Sequence, residues 1–170
     1  LGLVQEIDFY ASDINEDSYL NIIDIVGTIN IILDNPSMRI QNNIENVNIS
    51  IPNESHFNED NQALIPMELL WESGNIGGLE FIIEHDNLNI IDIVSDIDEM
   101  DIFYNTLDYN KVKCIALFLN NRIENINSIQ FSILLESEQD KGKLQFSEII
   151  IVDSNGNNIN ANLNNYDVDI

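Results

Sequence analysis

The sequence predicts a mainly β protein that folds as an antiparallel β-sandwich of the jelly-roll type. Three observations lead to this prediction. From residue 44 onward, apolar and polar residues alternate in short stretches, which is the period of half-buried strands. Turn signals separate these stretches, and one of them, Asn155-Gly156, is typical of a two-residue hairpin turn. At 170 residues with 44% hydrophobic content, the chain is also long enough to bury a core.

The first element is an N-terminal strand, which we predict over residues Leu1–Tyr10. Apolar side chains alternate there with mostly polar ones, at Leu1, Leu3, Ile7 and Phe9. The chain begins with leucine rather than methionine, which is compatible with a signal peptide that has been removed. We therefore expect an extracellular or cell-surface protein.

The window from Asp13 to Asp24 has the ligand spacing of an EF-hand-type calcium loop. Position 6 of the loop is Ser18, where glycine is usual, and positive φ there costs a non-glycine residue about 1 kcal/mol. The alternative is an acidic, Asn-rich surface turn before a helix. The predicted Ca²⁺ ligands, the tyrosine through its backbone carbonyl, are Asp13, Asn15, Asp17, Tyr19, Asn21 and Asp24.

An apolar helix follows the loop and is stopped by Asp34-Asn35-Pro36. Its apolar residues recur at helical spacing, at Ile22, Ile23, Ile25, Val26, Ile29, Ile32 and Leu33. This loop and helix, residues 13–34, resemble a single dockerin type I repeat, whose form is D-x-N-x-D-G followed by an apolar helix. A full dockerin has two such repeats. From Pro36 onward the sequence has no second D-x-[DN]-x-D array, so the resemblance amounts to half a module.

Three regions follow from these patterns: residues 1–35 with the strand and the loop–helix, a linker at 36–45, and the sandwich at 46–170. The linker is rich in asparagine and contains Pro36. The predicted strands of the sandwich cover residues 47–51, 63–71, 79–84, 88–94, 102–104, 111–119, 129–135, 144–152, 159–163 and 166–170. We expect Gly77-Gly78 to lie in a turn.

The predicted core of the sandwich contains the inward-facing aromatic residues Trp71, Phe81, Phe118, Phe131 and Phe146. The only cysteine, Cys114, lies in an apolar run and is expected to be a small buried side chain of a strand.

Three stretches of the sandwich region resemble the cohesin-like sandwiches. Ile65-Pro66-Met67 matches a Val-Pro-Val-type strand, and Ile76 to Leu88 matches a Gly-rich strand that ends at an aspartate. A late strand at 129–133 and the turn Asp153-Ser-Asn-Gly156 complete the likeness, which covers residues 46–170. Carbohydrate-binding modules share much of this pattern. The resemblance implies a cohesin-like fold and a protein partner of the cohesin or dockerin type.

The formal net charge of −24 excludes several classes of partner. Phosphate backbones and anionic membranes are repelled, whereas divalent cations are attracted. No apolar run is long enough for a transmembrane helix, so membrane insertion is not expected. His56 and His85 are isolated and no nucleophile or phosphate-binding motif occurs, so we expect no enzymatic activity.

Two further sites stay open from sequence. The acidic cluster from Asp96 to Asp101 has two interpretations: it is a second cation-binding site, or it is a solvated acidic loop. Four aromatic residues are either a platform on which the sugar rings of a polysaccharide stack or side chains of the core. The candidates for such a platform are Trp71, Tyr104, Tyr109 and Tyr166.

Cohesins and dockerins, the families resembled here, bind one another through the calcium-supported helix and one face of the sandwich. On one chain the two parts can meet within one molecule or between neighbours, and a heterologous contact that does not close makes a filament. We therefore expect a non-catalytic, calcium-binding structural subunit that assembles head to tail with copies of itself or with a related protein. Donation of the N-terminal strand to a neighbour is a second route. The alternative functions are a carbohydrate- or surface-binding module and a non-catalytic part of a larger secreted enzyme.

Overall fold

The computed structural model describes residues 11–33, 44, 46–97, 100–118, 127–138 and 141–170. Helix α1 covers Ile22–Ile32, and Ala11 and Ser12 are also helical among the described residues. The strands are β1 Asn46–Ser50, β2 Gln62–Leu70, β3 Ile76–Asp86, β4 Asn89–Ser95, β5 Asp101–Asp108, β6 Lys111–Leu117, β7 Ser128–Glu136, β8 Lys143–Asp153, β9 Asn158–Leu163 and β10 Asp167–Asp169. The predicted strand at residues 1–10 and all but Ile44 of the predicted linker lie outside the described residues.

The strands form a sandwich of two layers, which confirms the predicted fold class. The strand order is β4-β7-β2-β1-β9-β8-β3-β6-β5, and β10 pairs with β8. The first five of these strands form one layer and the last four form the other. Strand β9 joins the layers, because it pairs in parallel with β1 and antiparallel with β8. The β1–β9 pair is the exception to the predicted antiparallel pairing, since the other ladders between the described strands are antiparallel.

The core lies between the two layers and is built from alternate residues of facing strands. In β2, for example, burial alternates strictly along the strand. Phe81 of β3 packs edge-on against Phe131 of β7, with ring centroids 6.3 Å apart, and this contact joins the layers. Phe146 lies 6.1 Å from Phe81 within the same layer. These three rings and Trp71 are buried as predicted, as is Cys114, whereas Phe118 is only half-buried at the edge of the core.

The structure corrects three local predictions. Gly77-Gly78 does not form a turn but lies inside β3, which begins three residues earlier than predicted. A Cβ on Gly77 would lie 2.3 Å from the Asp153 carbonyl oxygen, so the two backbones approach too closely for a side chain. Strand β5 is much longer than the predicted 102–104. The hairpin loop at Asn155-Gly156 has four residues, 154–157, instead of two.

Burial gives Cys114 the character of an inert core residue. The side chain is fully buried, and burial raises the pKa of its thiol to about 12. No helix among the described residues is long and apolar enough to cross a membrane.

Candidate functional site

The loop before α1 is curled by its own carboxylates. Asp13 is only 7% exposed, and its two oxygens accept the backbone N–H groups of Asp17 at 3.1 Å and Ser18 at 2.9 Å. Asp17 in turn accepts the backbone N–H of Tyr19 at 2.8 Å and the side-chain amide of Asn15 at 2.7 Å. The first half of the window is therefore a compact turn wound around Asp13.

Two residues of this turn have left-handed backbone geometry. Ser18 has φ of +71° and Glu16 has φ of +59°. Position 6 of the loop thus has the positive φ that glycine adopts most easily. The cost of about 1 kcal/mol expected for Ser18 is consistent with this geometry.

The second half of the window caps the helix. Asp24 is 4% exposed, and its oxygens accept the backbone N–H of Ile14 at 2.8 Å and of Asn21 at 3.0 Å. The Asn21 side chain accepts the N–H of Ile23 at 2.8 Å, which completes a capping box. Asp24 therefore ties the start of the loop to the first turn of α1.

The six predicted ligands belong to this loop and to the start of α1, and their side chains do not converge on one point as a complete coordination shell would. Within the described ranges, no three histidine, cysteine, aspartate or glutamate side chains converge closely enough to hold a metal ion. Asp13 and Asp24 are nevertheless two buried carboxylates for which no ion pair is found among the described residues. The donor set of carboxylates, amides and a backbone carbonyl is the hard oxygen set that Ca²⁺ prefers, so these residues fit that ion chemically.

A glutamate of the sandwich holds the start of the helix. Glu80 of β3 is 3% exposed, and its Oε2 accepts the backbone N–H of Ile22 at 3.1 Å. Its Oε1 lies 2.6 Å from the Nζ of Lys113 on β6. One carboxylate thus neutralises a partly buried lysine and satisfies an N–H group that the first helical turn leaves unpaired.

Helix α1 lies on the outer face of the layer that contains β3, β6 and β8. Ile22 and Val26 form a small buried cluster with Leu117 of β6 and Val152 of β8. A Cβ on Gly78 would lie 2.8 Å from Cδ1 and Cγ1 of Ile22. The absence of a side chain at that position therefore creates the space that Ile22 fills.

The β8–β9 hairpin contacts the back of the helix. The Asn30 side chain donates to the Ser154 carbonyl oxygen at 3.0 Å. A Cβ on Gly156, whose φ is +85°, would lie 3.6 Å from the backbone N of Gly27. Asp153 shapes this hairpin by accepting the backbone N–H groups of Asn155 and Asn157 at 2.8 and 2.9 Å.

On its other side the helix borders an apolar cleft of about 360 Å³. The cleft lies between α1 and strand β6, and it also borders the predicted ligands Asn21 and Asp24. Its walls include Leu20, Ile25 and Ile29 from the loop–helix and Ile115 from the sheet. In the described part of the chain, the sandwich therefore contacts the helix through the Ile22–Val26 face and through the β8–β9 hairpin.

The other sequence candidates are scattered. Trp71 is 6% exposed and donates its indole N–H to the Gly74 carbonyl oxygen, so it is not available for stacking. Tyr104, Tyr109 and Tyr166 are exposed. Asp96 accepts the backbone N–H of Gln130 at 3.0 Å, while residues 98 and 99 of the acidic cluster lie outside the described residues.

The two histidines occupy different environments. His56 is exposed in the loop between β1 and β2. His85 is half-buried at the end of β3, where desolvation lowers the pKa of its ring despite a hydrogen bond with the Leu88 backbone and the nearby charge of Asp86. Among the described residues, neither histidine belongs to a group of three side chains that could hold a metal ion.

The sequence patterns did not predict the side of the sandwich that receives the helix, which is formed by Glu80, Lys113 and Gly78. One signal for Glu80 was available, because a single charged residue interrupts the apolar run from Leu79 to Ile83. A charge within a buried strand requires a partner. The sequence could not show that this partner is the helix of the preceding segment.

No protein-family model and no curated protein sequence matches the chain. Solved structures do resemble it. A chain of a complex of CaCohA2 with a CaDoc0917 variant has a TM-score of 0.58 and 15% identity, over 73% of this chain and 99% of that chain. A non-cellulosomal cohesin from the archaeon Archaeoglobus fulgidus has a TM-score of 0.55 and 13% identity, over 73% and 87%.

A third similar chain comes from the Coh-OlpC–Doc435 complex, a type I cohesin–dockerin complex from Clostridium thermocellum. Its TM-score is 0.52 at 12% identity, over 74% of this chain and 94% of that chain. These similarities show a cohesin-like β-sandwich fold and leave function to the site.

Proposed function

We propose that this protein is a non-catalytic, calcium-dependent interaction module of the cell surface or extracellular medium. In this proposal the dockerin-like loop–helix and the cohesin-like sandwich recognise one another, and copies link head to tail when the helix of one copy docks on the sandwich of the next. The observation that carries the proposal is the packing of α1 on its own sandwich. Ile22 fills the space above Gly78, and its backbone N–H donates to Glu80. We call this surface of the sandwich, at Gly78 and Glu80, the seat of the helix.

The size of this contact supports exchange between copies. Among the described residues, the buried cluster under the helix has four members, Ile22, Val26, Leu117 and Val152, and it is separate from the core between the layers, so the helix can leave without opening that core. Thirteen residue steps separate Leu33 from Asn46, and an extended chain of that length spans about 43 Å. The same contacts can then form between two molecules, as in domain swapping.

Calcium would act through the loop. The residues that would hold the ion are the six predicted ligands, with Asp13 and Asp24 as buried carboxylates. Asp24 also caps α1, so the ion would stabilise the helical turn that presents Ile22 to the sandwich. The net charge of −24 favours the binding of a divalent cation, and a millimolar external calcium concentration suits a loop with serine at position 6.

Mixing two complementary variants tests the exchange. In the Gly78→Val chain, the new side chain blocks the seat and leaves the helix free. In the Ile22→Asp chain, the helix cannot dock and the seat stays open. We expect a 1:1 heterodimer when the two are mixed in calcium, measured by sedimentation velocity, and monomers when each is alone.

The matched control replaces Ile22→Asp with Ile31→Asp, on a side chain that is 64% exposed. This helix remains docked on its own sandwich, so it forms no heterodimer with the Gly78→Val chain. If all mixtures stay monomeric at high concentration in calcium, head-to-tail exchange is wrong. A screen of polysaccharides would then test the binding-module alternative.

The calcium part is tested by melting temperature with calcium and after chelation. We expect calcium to raise the melting temperature of the native chain and of Glu16→Gln, which removes a loop charge at a non-ligand position. It should not raise that of Asp24→Asn. Each variant is compared with its own chelated state, which separates ion binding from the loss of the cap. Electron microscopy of the native chain in both states shows whether filaments depend on the ion.

A further inference from the structure

A polar cleft of about 610 Å³ lies on the outer face of the layer that contains β1, β2 and β9. Asparagine side chains of β1 and β9 line it, together with the end of β2 and the loop that follows β2. Its lining includes Asn46, Asn48, Asn162, Leu70 and Glu72. The cleft and the seat of the helix therefore lie on opposite layers of the sandwich, and both can be occupied at the same time.

The asparagine side chains form a regular grid on two neighbouring strands. Asn46 and Asn48 are exposed on β1 and alternate with buried residues, so both point away from the core. The parallel pairing of β1 with β9 places Asn160 opposite Asn46. It also places Asn162 opposite Asn48, and both partners on β9 are exposed. Side chains of this grid repeat about every 6.7 Å along a strand and about every 4.8 Å between strands, so one extended ligand meets several amides.

The amides of the grid have hydrogen-bonding capacity to spare. The Asn162 side chain donates to Oδ1 of Asn48 at 3.3 Å. This bond uses one of the four N–H groups that two such amides carry, and it holds the two side chains beside each other. An amide offers donors and an acceptor without a charge, and a hydroxyl group also donates and accepts. The grid therefore matches a ligand that is rich in hydroxyl or acetamido groups.

The other groups of the cleft narrow the class of ligand. Leu70 is 41% exposed and Ile44 is half-buried, so apolar surface for the C–H face of a sugar ring lies beside the amides. Glu72 is the one charged side chain in the described lining, which contains no lysine or arginine. Together with the net charge of −24, this carboxylate repels phosphate, sulfate and uronate groups. The cleft therefore suits an uncharged sugar chain.

We propose that this cleft binds a neutral polysaccharide through the side-chain amides of Asn46, Asn48 and Asn162. The inference goes beyond the proposed function, because it involves neither the calcium loop nor the exchange of α1. It also differs from the aromatic platform considered from sequence. The binding groups are amides, and Trp71 at the edge of the cleft is buried and donates its indole N–H to Gly74.

NMR of the full chain, with its side-chain amide signals assigned, gives the first test. The neutral probes are short oligomers of β-glucose, N-acetylglucosamine, mannose and xylose, and the anionic probe is an oligomer of galacturonate. We expect the signals of Asn46, Asn48 and Asn162 to shift and saturate with at least one neutral probe and to stay in place with the anionic one. Signals that stay in place with every neutral probe, or that respond as strongly to the anionic probe, would overturn the proposal.

Titration calorimetry with the neutral probe that binds tests the residues. The combined substitution of Asn48→Ala and Asn162→Ala should weaken binding about tenfold, because the hydrogen bonds from both amides are lost. The matched control, Asn105→Ala, removes an exposed asparagine from β5 on the other layer and should leave the affinity unchanged. Unchanged backbone signals of β1 and β9 verify that the double variant is folded. Binding that survives this variant but is lost in Tyr109→Ala or Tyr166→Ala would assign the sugar to the exposed aromatic residues and would overturn the proposal.

Discussion

The sandwich and the loop–helix unit are held in place by contacts of very different extent. Among the described residues, the core between the two layers contains 25 buried residues, whereas the cluster beneath α1 contains four. Hydrogen bonds supplement that small cluster, from Ile22 to Glu80 and from Asn30 to Ser154. The difference indicates that the loop–helix opens at a lower free energy than the sandwich unfolds. The loop–helix can therefore dissociate from the sandwich while the sandwich stays folded.

The largest effect is expected in the sandwich core. Phe131→Ala removes a fully buried ring from the contact between the layers, so the free energy of unfolding should fall by about 3–5 kcal/mol. Urea denaturation measures it. The control Leu64→Ala, on a side chain that is 53% exposed, should change stability by less than about 1 kcal/mol. Equal effects of the two substitutions would show that the layers are not held by this core.

Gly78→Val should separate the two units. The branched side chain occupies the space of Ile22, so α1 should lose protection from hydrogen exchange while β2 and β7 keep theirs. The stability cost should reach about 3 kcal/mol, as for an overpacked interface. Gln145→Val, on an exposed position of β8, is the control and should leave the helix protected. A helix that stays protected in Gly78→Val would contradict the proposed seat.

Two ion pairs of the same sheet sharpen the comparison at the level of single charges. Glu80→Gln leaves Lys113 without its carboxylate in the interface with the helix, and we expect a loss of about 2 kcal/mol. The pair of Glu84 with Lys111 is of similar length, 2.8 Å, but it is much more exposed. Glu84→Gln should therefore lower the free energy of unfolding far less than Glu80→Gln does. Thermal denaturation of the two variants and of the native chain measures both changes. If the order is reversed, Glu80 does not anchor the helix.

The smallest effect is expected in the loop. Ser18→Gly relieves a positive φ and should raise stability by about 1 kcal/mol, with tighter calcium binding in titration calorimetry. Ser18→Ala keeps the strain and should give no gain. A gain from alanine equal to that from glycine would mean that the serine hydroxyl, and not the backbone, is responsible.

The sequence determined the sandwich to a large extent. Alternation of apolar residues at a period of two predicted most strands, and it placed Phe81, Phe131 and Phe146 in the core, because the pleat turns every second side chain to the same face. It also located the loop and the start of α1, since the spacing of Asp13, Asp24 and the cap is a local pattern. Local patterns of this kind need no knowledge of distant contacts.

The tertiary structure alone decided how these parts meet. Gly77-Gly78 resembles a turn in sequence, yet it lies within β3. Glycine is needed there because the Asp153 backbone and Ile22 occupy the space that two side chains would fill. Glu80 becomes the anchor of the helix across 58 residues of sequence, and β5 becomes a long exposed edge. These features depend on which distant segments pack together, and one sequence contains no signal for such a pairing beyond the charge in an apolar strand.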